Sequence, residues 1–209
     1  MPQDKDLKRL VRARMTRTGE RYTQALTHVL GLTRLDPLPA PWFLTGSRAH
    51  DYEVGLLPGT RDGHRVVQLR LRSASCEPEG FGALMQSIAA TRYVGRRIRF
   101  SATVRAREVT GWAGLWLRID GLHGPLMIDN MQDRPLRQTT DWRPASIVLD
   151  VPEQATELHF GALLGGAGAV DLTQPRFGEA GQNVPVTADP QTPGPLPDEP
   201  QALDFGMAS

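Results

Sequence analysis

The sequence predicts a mainly β protein, an antiparallel β-sandwich preceded by a short basic helical hairpin. Three observations carry that expectation. Between about Trp42 and Ala180, apolar residues recur with period two in strand-length runs. Turn-forming Gly, Pro, Asp and Asn separate the runs, and no part of that region has the apolar period of a long helix.

Residues 4–31 do have a helical period. Leu7, Leu10, Val11 and Met15 form one stripe, Lys5, Lys8, Arg9 and Arg12 lie largely away from it, and Thr18, Gly19 and Glu20 end the helix. Thr23 is placed to cap a second helix with the stripe Tyr22, Ala25, Leu26, Val29 and Leu30, stopped by Gly31. Two such short helices cannot bury their apolar faces alone. The hairpin must therefore pack on the main domain, on a second copy as a homodimer, or on another protein. Residues 1–34 carry eight Lys and Arg against three Asp and Glu, a net +5, so the rest of the +1 chain is −4. This asymmetry admits an anionic partner for the head, with Lys8, Arg9 and Arg12 as the candidate nucleic-acid contacts.

Residues 35–41 hold a proline-rich segment, read as a stiff linker. The predicted strands follow over 52–57, 66–72, 81–88, 97–105, 113–120, 126–131, 146–151, 157–164 and 170–177. In the fourth, Ile98, Phe100, Ala102 and Val104 oppose Arg97, Arg99, Ser101, Thr103 and Arg105. In the fifth, Ala113, Leu115, Leu117 and Ile119 make a core face, and Gly114, Trp116, Arg118 and Asp120 make the other. Gly121 and Gly124 mark a turn into the sixth, where Leu126, Ile128 and Asn130 oppose Met127, Asp129 and Met131. The sandwich is expected over 42–180. Residues 181–209, with six prolines, are expected to be an extended tail in which Leu203 and Phe205 are the apolar exceptions.

Composition narrows the function. One cysteine, Cys76, excludes a disulfide scaffold and points to a reducing compartment. No apolar run reads as a signal peptide or membrane span, so the expectation is a soluble cytoplasmic protein. The five histidines lack metal-ligand spacing, and no phosphate loop or nucleophile elbow is present, so no cofactor, transition metal or catalytic residue is assigned. A calcium site built from backbone carbonyls and one or two aspartates leaves no such signature. Ser47, His50 and Asp51 read as a turn entering a strand.

The candidate ligand-binding residues are Trp112, Trp116, Arg118, Asp120, Asn130, Gln132 and Arg134. Indole rings can stack on a sugar ring or an apolar ligand, while guanidinium, carboxylate and amide groups supply directional hydrogen bonds.

The segments WFLTGSRAHDYEVGL, EGFGALMQSIAATRYVGRRIRFSATVR, WAGLWLRIDG to DNMQDRP, TTDW with IVLDVP, and LHFGALLGGAGAV together resemble an uncharacterised bacterial, actinobacterial-type group. Its members are labelled transcriptional regulator or hypothetical protein. The resemblance spans about residues 42–187 and implies a galactose-binding-like jelly roll, the fold of many carbohydrate-binding modules. Where such modules often carry a late aromatic, this chain has Val170 and Asp171. RTGERYTQA in the head is similar to helical segments of small bacterial DNA-binding antitoxins. The function expected is a non-catalytic module for a small-molecule, carbohydrate-like or protein ligand. The alternative is a ligand-sensing transcriptional regulator whose hairpin touches DNA.

Overall fold

In a computed structural model the described residues are 3–19, 21–22, 25, 34–72 and 79–187. Thr23 with most of the second helix, Cys76, His28, Leu203 and Phe205 lie outside them. The first helix, α1 (Gln3–Thr18), ends where expected: Gly19 takes a positive φ of 72° and its N–H reaches the Met15 carbonyl at 2.8 Å. Among the described residues, no helix is long and apolar enough to cross a membrane.

Eleven strands follow among the described residues: β1 (Phe43–Thr45), β2 (Tyr52–Arg61), β3 (His64–Leu71), β4 (Phe81–Ala89), β5 (Arg97–Arg107), β6 (Val109–Gly121), β7 (Gly124–Asp129), β8 (Leu136–Gln138), β9 (Arg143–Asp150), β10 (Ala155–Gly165) and β11 (Ala169–Glu179). They form two antiparallel sheets. The first has the order β1-β4-β10-β6-β7, with β8 also on β6, and the second has the order β2-β3-β11-β5-β9. From β4 to β6, and again from β9 to β11, successive strands alternate between the sheets, so neighbours in sequence face each other across the core as in a jelly roll. All nine predicted strands are present. The three-residue β1 and β8 are too short for alternation to reveal, and β6 begins at Val109 rather than Ala113.

Alternation explains the packing. Ile98, Phe100, Ala102 and Val104 of β5 and Ala113, Leu115, Leu117 and Ile119 of β6 are buried toward each other. An aromatic chain runs through this core. Phe160 stacks on Phe177 at 4.4 Å, lies 5.1 Å from Phe100 and meets Trp42 edge-on at 5.7 Å. On β7 the inward set is Met127 and Asp129, continued by Met131. The buried Asp129 carboxylate is satisfied by the Met131 N–H, Arg134 and Thr187.

The outer face of the second sheet is held by ion pairs. Asp171 of β11 is fully buried and accepts hydrogen bonds from Gln68, Arg105 and Arg107. Burial lowers the Arg107 pKa, Asp171 opposes that, and Arg105, Arg14 and Arg70 lower it further. Arg14 therefore brings α1 near this face, and Val11 of the same helix is fully buried. Trp142 is clasped between the guanidiniums of Arg61 and Arg105, at 4.8 and 4.7 Å.

At the edge, Arg97 and Asp150 form a two-pronged pair at 2.7 and 2.8 Å. The Arg97 hydrogen bond holds the Asp150 carboxyl below its ordinary pKa. Because the folded value is the depressed one, the stabilisation is complete above the unfolded pKa of about 4 and is lost as pH falls through the folded value. Asp150→Asn should lower Tm at pH 7 by no more than about 4 °C, since the pair is solvated. Thermal melts across pH should show the gap to wild type closing below about pH 4.

Candidate functional site

The outer face of the first sheet is not a solvated surface. Ala83, Trp116 and Leu163 are buried there in a second apolar cluster, flanked by Phe81, Met85 and Trp112. They floor a groove of about 650 Å³. One wall is Thr45, Gly46 and Gly80, and the other is Ile128, Asn130 and Gln132, while Arg118 stands on the groove lining beyond Trp116.

Register makes this floor. Gly161 of β10 lies between Trp116 of β6 and Met85 of β4. A Cβ on Gly161 would fall only 1.9 Å from the Leu84 carbonyl oxygen. The missing side chain lets β4 approach and the Trp116 indole turn across β10, where its Nε1–H donates to that same carbonyl at 3.2 Å. Trp116 is thereby rigid and almost entirely buried. Trp112, four residues earlier on the same face, is the half-exposed ring of the pair.

A polar chain continues the row along the sheet. Arg118 donates to Asp120 at 2.9 Å, His159 Nε2 stands 3.2 Å from Asp120 and 3.3 Å from Glu157, and His159 Nδ1 shares a 2.8 Å hydrogen bond with Ser87. Among the described residues, Arg118 Nε and Asp120 Oδ1 are buried without a hydrogen-bond partner. Ser, His and Asp in sequence invite comparison with a nucleophilic triad. Here, however, Ser87 and His159 are direct cross-strand partners in a regular ladder, and no strained elbow presents the hydroxyl. The chain's visible consequence is to fix the carboxylate that orients Arg118.

Of the seven residues proposed from sequence, the structure brings Trp112, Trp116, Arg118, Asn130 and Gln132 to one groove. Asp120 stands behind Arg118. Arg134 is separated from them, bound to Asp129 and Asp133 at 2.7 and 2.6 Å. Burial pulls its pKa down, and the bonds to the two carboxylates more than offset that, leaving it raised. Phe81, Met85, Leu163, His159 and Ser87 were not singled out. Alternation places each on a defined strand face, but only the β4–β10–β6 register joins those faces. Ser47, His50 and Asp51 form the expected turn: Ser47 Oγ accepts the Phe81 N–H at 3.1 Å, and residues 49–51 make one 3-10 turn before β2. Among the described residues, no three His, Cys, Asp or Glu side chains stand together as metal ligands.

No family model matches the chain. It is 37% identical over 170 residues to an uncharacterized HTH-type transcriptional regulator, YbfP, of Bacillus subtilis (strain 168). That is the kind of relative the sequence segments pointed to. The match covers 78% of this chain and 56% of the relative, so the chain spans little more than half of that protein's length. Among solved structures, it overlays the enzymatically active domain of tailspike protein 4 from bacteriophage CBA120 with a TM-score of 0.50 and 12% identity, over 68% of this chain and 20% of that one. This likeness is one of fold. The C-terminal family 22 carbohydrate-binding module of Clostridium thermocellum Xyn10B overlays with a TM-score of 0.47 and 14% identity, over 71% of this chain and 91% of that one.

Gly161→Ala should force β10 and β4 apart and cost stability at the upper end of about 1–3 kcal/mol, measured by urea unfolding. Trp116→Phe, which removes the indole N–H that donates to the Leu84 carbonyl, should cost about 0.5–1.5 kcal/mol by the same measurement.

Proposed function

We propose that the protein is a non-catalytic binding module whose aromatic groove holds a small polyhydroxylated ligand of carbohydrate type. One observation carries this: a buried apolar floor centred on Trp116 lies on the outer face of a sheet, with Arg118, Asn130 and Gln132 at its margin. A sugar ring has the matching chemistry, with an apolar C–H face for the indoles and hydroxyls for the guanidinium and amides. Asn130 already caps its own loop through the Gln132 N–H at 3.3 Å, which holds its side chain in place. A peptide of aromatic and polar character would use the same groups.

A panel of neutral oligosaccharides read by thermal shift tests the proposal. A ligand at a hundred times its Kd should stabilise the fold by about 2.7 kcal/mol, a rise in Tm of roughly 5–10 °C. Trp112→Ala, at the half-exposed ring, should abolish the response while the variant remains folded. Arg118→Gln should weaken binding about tenfold, and Arg134→Ala should leave the groove's direct contacts, and so binding, unchanged because that side chain is not part of the lining. A response that survives Trp112→Ala would remove the groove from the proposal.

A second reading is a ligand-sensing regulator whose basic helix contacts DNA. It is supported by the name of the Bacillus relative and by the exposure of Lys8, Arg9 and Arg12 on α1. Replacing all three by Gln in the full chain should weaken binding to random duplex DNA. The slope of log K against log salt should become shallower by about 0.9 for each phosphate that is no longer neutralised.

A further inference from the structure

The second sheet presents a different chemistry on its outer face. Its five strands carry nine arginines against four carboxylates, whereas the strands of the groove sheet carry two arginines against three. Most of the cations on the arginine-rich face are already matched: Arg97 by Asp150, Arg70 by Glu53, Arg65 by Asp36, and Arg105 and Arg107 by Asp171. Arg61 has Asp62, and Arg143 reaches the Pro135 carbonyl. The remaining two, Arg99 and Arg176, have no hydrogen-bond or ion-pair partner among the described residues, and both line one groove of about 470 Å³ across β9, β5 and β11.

The sheet's register explains how they meet. Arg176 is the cross-strand partner of Ser101, and Arg99 lies two residues from Ser101, so the two arginines are diagonal neighbours about 7–8 Å apart. The β11–β5 pairing shifts between Thr173 and Arg176, and Gln174 within that shift takes a positive φ of 54°. Such bulges re-aim the side chain that follows them. Gly178, directly opposite Arg99, leaves open space where a side chain would stand. The hydroxyls of Ser101, Thr103 and Ser146 line the same groove and are also without partners among the described residues.

We propose that this groove is a site for a tetrahedral oxyanion, the phosphate or sulfate group of a small ligand, held between the guanidiniums of Arg99 and Arg176. Guanidinium forks match paired anionic oxygens, and the hydroxyls supply donors for the rest. The surroundings fit a small ligand rather than a polyanion: the groove is about 470 Å³ and offers two unpaired guanidiniums, enough for one anionic group but not for a chain of successive phosphates. The site is on the opposite sheet from the aromatic groove and does not depend on the function proposed for that groove.

The test is a titration of the full chain with sodium phosphate and, in parallel, sodium sulfate, each at ionic strength matched with sodium chloride, followed by amide chemical shifts. Saturable shifts should centre on Ser101, Ser146, Arg176 and Gly178. The double substitution Arg99→Gln/Arg176→Gln should weaken binding at least tenfold, and Arg99→Lys/Arg176→Lys, which keeps charge but loses the fork, should fall between it and wild type. Arg137→Gln on the other sheet should change nothing, and Trp112→Ala should leave the phosphate shifts intact. Binding of both anions assigns a general tetrahedral oxyanion site, and binding of phosphate alone assigns one selective for phosphate. Shifts reproduced by chloride, or unaltered in the double Gln variant, overturn the proposal. Duplex DNA held more tightly than phosphate through the same two arginines would overturn the small-ligand assignment.

Discussion

The architecture of the groove depends on a side chain that is missing. Gly161 sits in the middle of the first sheet, and any Cβ there would collide with the Leu84 carbonyl. Its absence lets three strands close up, turns that carbonyl toward the Trp116 indole, and makes an aromatic ring the roof of a sheet rather than a loose ornament on it. Everything nearby follows from the rigid indole. Ala83 and Leu163 pack on it, Trp112 stands beyond it, and Arg118 is displaced to the polar side, where Asp120, with His159 beside it, holds it. A mobile ring would lose ordering entropy on every binding event, and one already locked by a hydrogen bond does not.

The two sheets divide their chemistry cleanly. One outer face is aromatic and nearly neutral in charge, and the other is dominated by guanidiniums that are mostly neutralised locally. Asp171 is central to the second arrangement. A single buried carboxylate receives Gln68, Arg105 and Arg107, and Arg105 in turn braces Trp142 against Arg61. Removing the carboxylate would leave two partly buried cations facing each other, with Arg14 of α1 adding a third positive charge close by.

The sequence showed the fold wherever one strand face was wholly apolar. β5 and β6 were legible because their inward residues are aliphatic or aromatic without exception and their outward ones are not. β7 was harder, because its inward face includes Asp129, whose burial is made possible by Arg134 and Thr187 from outside the strand. The site was half legible for a related reason. Trp112, Trp116 and Arg118 share one face of one strand, so period two alone unites them. The contributions of β4 and β10 depend on register, which is set by the whole sandwich and by Gly161. Arg134 was misplaced because a loop arginine near Asn130 and Gln132 in sequence turned toward its own acidic neighbours. Trp142, close to the other two tryptophans in sequence, crosses to the opposite sheet.

Residues 181–187, counted with the proline-rich tail by composition, run back along the sandwich instead. Arg97 binds the Gln182 and Val184 carbonyls, the Thr187 backbone N–H reaches Val148, and the Thr187 hydroxyl bridges the Val148 N–H to Asp129. Val148 and Asp129 belong to β9 and β7, the outermost strands of the two sheets on that side. The strap thus occupies main-chain groups that an uncovered margin would offer to a strand from another molecule. A chain cut before Thr187 would leave the buried Asp129 carboxylate one donor short and gain an adhesive border, open to β-augmentation and self-association.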